Sequence, residues 1–125
     1  RLYVNNGAGV FTDESVARLG TLNLAVAGCA YGDVDQDGDL DLFLNDELTN
    51  GQLKLFLNNG LGVFTNVTAT HVVAAPKTNQ QDVVLCDIDG DFDLDVINIG
   101  KSAGQQIYLN DGTGHFPTVT TALLP

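Results

Sequence analysis

The sequence predicts an all-β fold, a β-propeller segment of about two and a half four-stranded antiparallel blades, and three observations carry that prediction. LYVNNGAGVFT (2–12), LFLNNGLGVFT (55–65) and IYLNDGTGHFP (107–117) superimpose without a gap at offsets of 53 and 52 residues. GDVDQDGDLDLFLND (32–46) falls on CDIDGDFDLDVINIG (86–100) at an offset of 54. Within each period the local signals are β: short apolar or alternating runs separated by Asn- and Gly-rich turns. A four-stranded sheet recurring every 40 to 50 or so residues is the sequence form of a propeller blade.

Residues 1–20 hold one Asn-Asn-Gly-x-Gly hairpin and supply only the last two strands of a blade. TDESVARLG (12–20) is the one candidate helical turn, with Asp13 or Thr12 as its cap. Residues 21–74 form a full blade. LNLAVAGCAYGD lacks helical spacing and reads as a buried inner strand near 24–31. LDLFLND alternates Leu40, Leu42 and Leu44 against Asp39, Asp41 and Phe43, giving a strand near 39–45. QLKLFLNN and GVFTNVT flank the second hairpin and give strands near 53–58 and 63–68. Residues 75–125 repeat the plan, with strands near 82–86, 93–99, 105–110 and 115–120. Propellers close into rings of about four to eight blades, so two and a half would leave apolar faces and strand edges in water. The chain is therefore expected to be part of a longer polypeptide, or to be joined by other chains that complete the ring. Dimerisation fits poorly, because the leading half-blade has no evident pair of inner strands to meet.

Composition agrees with a folded domain or a piece of one: 125 residues, 44% hydrophobic and 17% charged. No apolar run approaches the roughly 18 to 20 residues needed to span a bilayer. There is no initiator Met and no signal-like start, which fits a processed or excised chain. The formal net charge is −11, with Arg1, Arg18, Lys54, Lys77 and Lys101 the only bases. That leaves no basic footprint for nucleic acid and disfavours anionic membrane. The natural partner for this charge is a cation. Cys29 and Cys86 form no CxxC motif and hold different blade positions, so two buried free thiols are expected rather than a disulfide.

Ten of the sixteen acidic residues sit in DVDQDGDLD (33–41) and DIDGDFDLD (87–95). In DxDxDGxxD, side-chain oxygens at positions 1, 3, 5 and 9 and a backbone carbonyl at 7 can converge on one ion, and calcium favours such a hard-oxygen set. The first loop offers Asp33, Asp35, Asp37, the carbonyl of Asp39, and Asp41; the second offers Asp87, Asp89, Asp91, the carbonyl of Asp93, and Asp95. Soft metals would need Cys or His, which the loops lack. An EF-hand is rejected: it requires Glu at position 12, where Leu44 and Asn98 stand, and its flanks would be helical. Position 6, where a tight turn favours positive φ, is Gly38 in the first loop and Phe92 in the second, so the second loop is expected to shift its backbone or bind more weakly.

AYGDVDQDGDLDLFL, VVLCDIDGDFDLDVI and the three N-[N/D]-G-x-G-x-F hairpins resemble the FG-GAP/VCBS repeat family, also found in integrin α-subunit heads. The resemblance covers essentially the whole chain. It implies a seven-bladed ring as the commonest complete form, with a calcium loop joining the first two strands of a blade on the face opposite the main ligand surface. Carried onto Asp33–Asp41 and Asp87–Asp95, it implies structural rather than catalytic ions. It also implies an extracellular setting in protein or glycan recognition and cell adhesion. The alternatives are a non-catalytic module of a larger secreted enzyme, of the polysaccharide lyase or lipase type, and a structural surface or filament component.

Other features point less far. His71 and His115 are isolated and read as solvated or hairpin residues. No G-x-S-x-G, P-loop or HExxH occurs, and the in-phase repetition of the aspartates argues against glycosidase carboxylates, so no enzyme activity is expected. Asn66-Val67-Thr68 is the one N-glycosylation sequon. The absence of Trp weakens a sugar-stacking reading.

Overall fold

The computed structural model describes residues 1–49, 52–76, 80–100 and 104–122; Lys77 and Lys101 lie outside them. Among the described residues there are three antiparallel sheets, two short α-helices and one turn of 3-10 helix at Glu47–Thr49. The first sheet has two strands, β1 (Tyr3–Asn5) and β2 (Phe11–Asp13), followed by α1 (Ser15–Leu19). The second has four strands in sequential order: β3 (Val26–Gly32), β4 (Asp41–Asp46), β5 (Gln52–Asn58) and β6 (Phe64–Asn66), followed by α2 (Thr68–His71). The third repeats that order with β7 (Gln80–Cys86), β8 (Asp95–Gly100), β9 (Gln105–Leu109) and β10 (Thr118–Ala122). Neither helix is long and apolar enough to cross a membrane.

The hairpins form as their residues dictate. Asn5 Oδ1 accepts from the amides of Gly7 and Gly9, Asn58 Oδ1 from Gly62, and Asn110 Oδ1 from Gly112 and Gly114. Both glycines of each hairpin sit at φ between 70° and 84°, a region that costs a side chain energy but not glycine.

Alternation along the strands builds two cores, one on each face of the middle sheet. Ala30, Phe43 and Leu55 lie side by side across β3–β5 and pack with Leu53 against Val83, Val96 and Tyr108 of the third sheet. Phe116 closes this core edge-on to Phe43, with ring centroids 5.3 Å apart. Leu42, Leu44 and Phe56 form the opposite face and meet Leu19, Leu24 and Phe64. Every residue of β4 is thus buried, both the leucines and the residues expected to face away from them. The inner strands of the two large sheets approach closely. A Cβ on Gly28 would stand 2.8 Å from the Asp82 Cα, and one on Gly32 would stand 2.7 Å from methyl carbons of both Leu85 and Leu94.

Several expectations from sequence are corrected here. β4 and β8 begin at Asp41 and Asp95, two residues later than expected, because residues 39 and 93 belong to the acidic turns: their amides donate to Asp37 and Asp91. The strand expected through 68 stops at Asn66, since Asn66 Oδ1 takes the Thr68 amide and opens α2. The last strand starts at Thr118 rather than 115, because the Phe116 backbone pairs instead with the segment after α2, donating to the His71 carbonyl at 2.6 Å and accepting from the Val73 amide at 3.0 Å. Neither Asp13 nor Thr12 is the residue before α1; Glu14 is, and Asp13 instead takes the Ser15 amide. Both cysteines are free, but neither is buried as expected: Cys29 is exposed on the uncovered side of β3, and Cys86 is half-buried.

Gly28→Ala should lower stability by about 1–3 kcal/mol, because the added methyl meets not only the Asp82 carboxylate, which can turn away, but also the backbone of Gln81 and Asp82, which cannot. Urea unfolding checks it; an unchanged midpoint would mean the sheets are less closely apposed.

Candidate metal centre

Each acidic loop leaves an inner strand and returns as the second strand of the same sheet. In the first, the amides of Asp37 and Gly38 donate to the two oxygens of Asp33 at 3.1 and 3.0 Å. This folds the loop around its first carboxylate. Oxygens of Asp33, Asp35 and Asp37 come within 4.8 Å of one another. In the second, the amides of Gly90 and Phe92 donate to Asp87 at 2.6 and 3.1 Å, and oxygens of Asp87, Asp89 and Asp95 come within the same distance. Of the four side chains expected to converge in each loop, the first gathers positions 1, 3 and 5 and the second positions 1, 3 and 9.

Asp41 stands apart from the first group and has its own role. It is fully buried, one oxygen accepting from the Val34 amide at 3.0 Å and the other from the Asn58 amide at 2.9 Å. Asp95 does the same with Ile88 at 2.8 Å and Asn110 at 2.9 Å. The ninth residue of each motif therefore ties the loop to the hairpin of its own sheet. Asp39 lies against that hairpin too: a Cβ on Gly60 would stand 2.6 Å from its carboxylate. Asp93 is buried, and its Oδ1 has no hydrogen-bond partner. Asp91 is not among the three converging carboxylates.

The loops share one backbone design with glycine placed differently. Position 4 is left-handed in both, at Gln36 (φ 61°) and Gly90 (φ 85°), and so is position 6, at Gly38 (φ 95°) and Phe92 (φ 72°). The second loop does not shift to spare Phe92. It keeps the left-handed backbone and turns the ring outward, 92% exposed. The first loop places the corresponding non-glycine residue at Gln36.

Burial and mutual repulsion hold several of these carboxyls above the ordinary range. Burial pushes Asp41 up to about 6, against the pull of its two amides. Burial and then the charge of Asp91 push Asp93 up to about 6. Asp35 and Asp89 are raised by the same causes, burial first and then Asp37 and Asp91 respectively. Close carboxylates, a buried oxygen without a donor and raised carboxyls are together the setting a hard divalent cation relieves. The donor set fits such an ion.

The profile of the FG-GAP-like repeat family matches residues 1–44 and again 33–98, spanning both aspartate motifs. The chain belongs to the FG-GAP-like repeat family. No curated protein matches it. In this FG-GAP-like chain the first loop is also braced by the following sheet: Asn110 Nδ2 donates to the Val34 carbonyl at 2.8 Å, and Gly114 packs over Asp35. Ile88, the counterpart of Val34, has no such cover and is 39% exposed, against 0% for Val34. His71 and His115, which sequence spacing leaves apart, stack across the same seam with centroids 3.9 Å apart. Burial and then the neighbouring His115 lower the His71 pKa. Asn66 of the sequon is exposed at the end of β6.

Two substitutions test these assignments. Asp41→Asn, which replaces an acceptor by a donor facing a buried amide, should cost about 1–3 kcal/mol in unfolding by denaturant. Phe92→Gly should stabilise by up to about 1 kcal/mol, the relief of left-handed strain outweighing the extra freedom of glycine in the unfolded chain. A destabilised glycine variant would show that the Phe92 ring is held by contacts.

Proposed function

We propose that the chain is a calcium-stabilised segment of an extracellular β-propeller that serves protein or glycan recognition or adhesion, with no catalysis of its own. The convergence of three carboxylates in each acidic loop carries this reading. Asp33, Asp35 and Asp37 hold one ion, and Asp87, Asp89 and Asp95 the other, with the carbonyls of Asp39 and Asp93 as further donors. Calcium fits because the donors are oxygens only and lie on flexible loops. Two divalent ions would carry four positive charges against a formal −11.

The calcium is structural in this reading. The chain's own residues do the positioning: Asp33 and Asp87 wrap each loop, while Asp41 and Asp95 pin it to its hairpin. The remaining blades, about seven in a complete ring, would come from the same polypeptide or from other chains. Membership of a family typical of extracellular proteins supports the location, where calcium in the millimolar range saturates even a weak loop. Asn66, exposed, would be the glycan acceptor.

Calcium should raise the melting temperature relative to chelator, by an amount equivalent to about 2.7 kcal/mol at a hundredfold excess over the dissociation constant. Asp37→Ala should shrink that rise. An unchanged melting temperature together with no heat of calcium binding would sink the reading. The response should also depend on pH. Asp41 and Asp93 are raised to about 6, so in chelator their contribution to stability is full below the ordinary carboxyl range, near 4, and fades as pH rises through 6. Calcium takes ionised carboxylates, and the ligands Asp35 and Asp89 are themselves raised, by burial first and then by Asp37 and Asp91, so melting curves with and without calcium should converge in acid and separate as pH rises. Asp13, held near 2 by Ser15 and Arg1, stays ionised throughout.

A further inference from the structure

We propose that Asn59 is a site of spontaneous covalent modification. The Gly60 amide nitrogen attacks the Asn59 side chain, closing a cyclic imide that water opens to aspartate or isoaspartate. Three hairpins share one sequence pattern, and the structure sets this one apart. Calcium plays no part in the reaction.

Asn6-Gly7 and Asn59-Gly60 hold the same place in the first two hairpins, and both dipeptides are exposed. A following glycine has no side chain to shield its nitrogen. In both, the carbonyl to be attacked is already polarised. Asn6 Oδ1 accepts from the amides of Ala8 and Val10 at 2.9 and 3.3 Å, and Asn59 Oδ1 from those of Leu61 and Val63 at 3.0 and 3.3 Å. Donors aimed at that oxygen stabilise the negative charge it gains on attack. The attacking nitrogens differ. The Gly7 amide donates to Asn5 Oδ1 at 3.0 Å, and the Gly112 amide of the third hairpin to Asn110 Oδ1 at 3.2 Å. The Gly60 amide has no acceptor among the described residues. Asn58 turns its Oδ1 to the Gly62 amide instead, and its Nδ2 to the Leu40 carbonyl. Asp39 lies against Gly60, and its charge opposes loss of the amide proton rather than promoting it.

Water is the only co-reactant. The Gly60 nitrogen gives its proton to water or hydroxide and bonds to Asn59 Cγ. The bond from Cγ to Nδ2 breaks, and Nδ2 takes a proton from water and leaves as ammonia. Water then adds to the imide: attack at Cγ yields aspartate, and attack at the main-chain carbonyl yields isoaspartate. Nothing is oxidised or reduced. Aspartate is what the third hairpin already carries at Asp111, whose Oδ1 accepts from the Thr113 amide at 3.1 Å, so that product keeps the turn. Isoaspartate lengthens the main chain and makes the former side-chain carbonyl part of the backbone. The Leu61 and Gly62 carbonyls, which accept from Arg18 at 2.7 and 3.2 Å, move with it. The contact between the two-stranded sheet and the middle sheet is therefore where this product acts.

The test ages the folded chain in mildly alkaline buffer with chelator and digests it with trypsin, which places Asn6 in residues 2–18, Asn50 in 19–54 and Asn59 in 55–77. Mass spectrometry follows conversion of amide to acid, and labelling by an isoaspartate-specific carboxyl methyltransferase counts the isoaspartate. Asn59 should convert about threefold faster than Asn6, the weight of the hydrogen bond that Gly7 must first give up. In urea, where neither hairpin persists, the two rates should be equal. Asn5→Ala, which frees the Gly7 amide, should bring Asn6 up to the rate of Asn59. Equal rates in the folded chain, or a faster Asn6, would overturn the proposal. So would a preference that persists in urea, which belongs to local sequence. A preference lost in Asp39→Asn would place its cause in that carboxylate and count against the free amide. Hydrogen exchange tests the same difference without any variant: the Gly60 amide should exchange faster than the Gly7 amide, and slower exchange would overturn the proposal as well.

Discussion

A buried carboxylate with both oxygens engaged by backbone amides holds each large repeat together. Asp41 joins Val34, inside the acidic loop, to Asn58, at the start of the hairpin, and Asp95 joins Ile88 to Asn110 in the same way. An isolated charge in such a place is costly, and two amide donors offset only part of that cost. Burial still raises Asp41 well above its ordinary range. The benefit is geometric: the loop is fixed to the sheet at its second and ninth residues, so the carboxylates between them have a defined place. Asn58 and Asn110 extend the tie by donating to the carbonyls of Leu40 and Leu94, each at 3.1 Å.

The same residues carry the repeat into its neighbour. Asn110 shares its amide between its own loop and the Val34 carbonyl of the preceding one. Farther along the seam, Asn45 Nδ2 donates to Asn98 Oδ1 at 2.7 Å, and Asn98 Nδ2 to Gln106 Oε1 at 3.2 Å. The Gln106 amide ends on the Pro76 carbonyl. This is a polar thread through an otherwise apolar contact, and such a thread fixes register because a slip would leave buried amides without partners. The first acidic loop consequently lies within a sheet–sheet seam. The second lies at an open end, with Ile88 and Phe92 in water.

Much of the fold was legible because its signals are local. The Asn-Asn-Gly-x-Gly spacing requires a left-handed turn whatever surrounds it, and alternation over a few residues assigns faces to a strand. Strand ends were less legible where a backbone group has a distant partner. Phe116 reads as strand from its neighbours, yet its amide and carbonyl belong to the segment after α2. The aspartates were identified as a set, but their roles were not equal. Asp33 and Asp41 look alike in sequence, and only burial and an amide from residue 58 separate the loop's first carboxylate from the one that pins it. Likewise Gln36 carries the left-handed strain of the first loop, which attention to position 6 alone misses.

By itself the sequence determined the period, the order of four strands, the hairpins and the two acidic loops, since each follows from which residue stands a few places from which. Only the tertiary structure decided which carboxylates converge, that Asp41 serves the backbone, that His71 stacks on His115, and that Cys29 is exposed. Those outcomes depend on residues tens of positions apart meeting across a strand pair or between sheets. Spacing along a chain does not encode distances of that kind; the packing of Gly28 and Gly32 against the next sheet does.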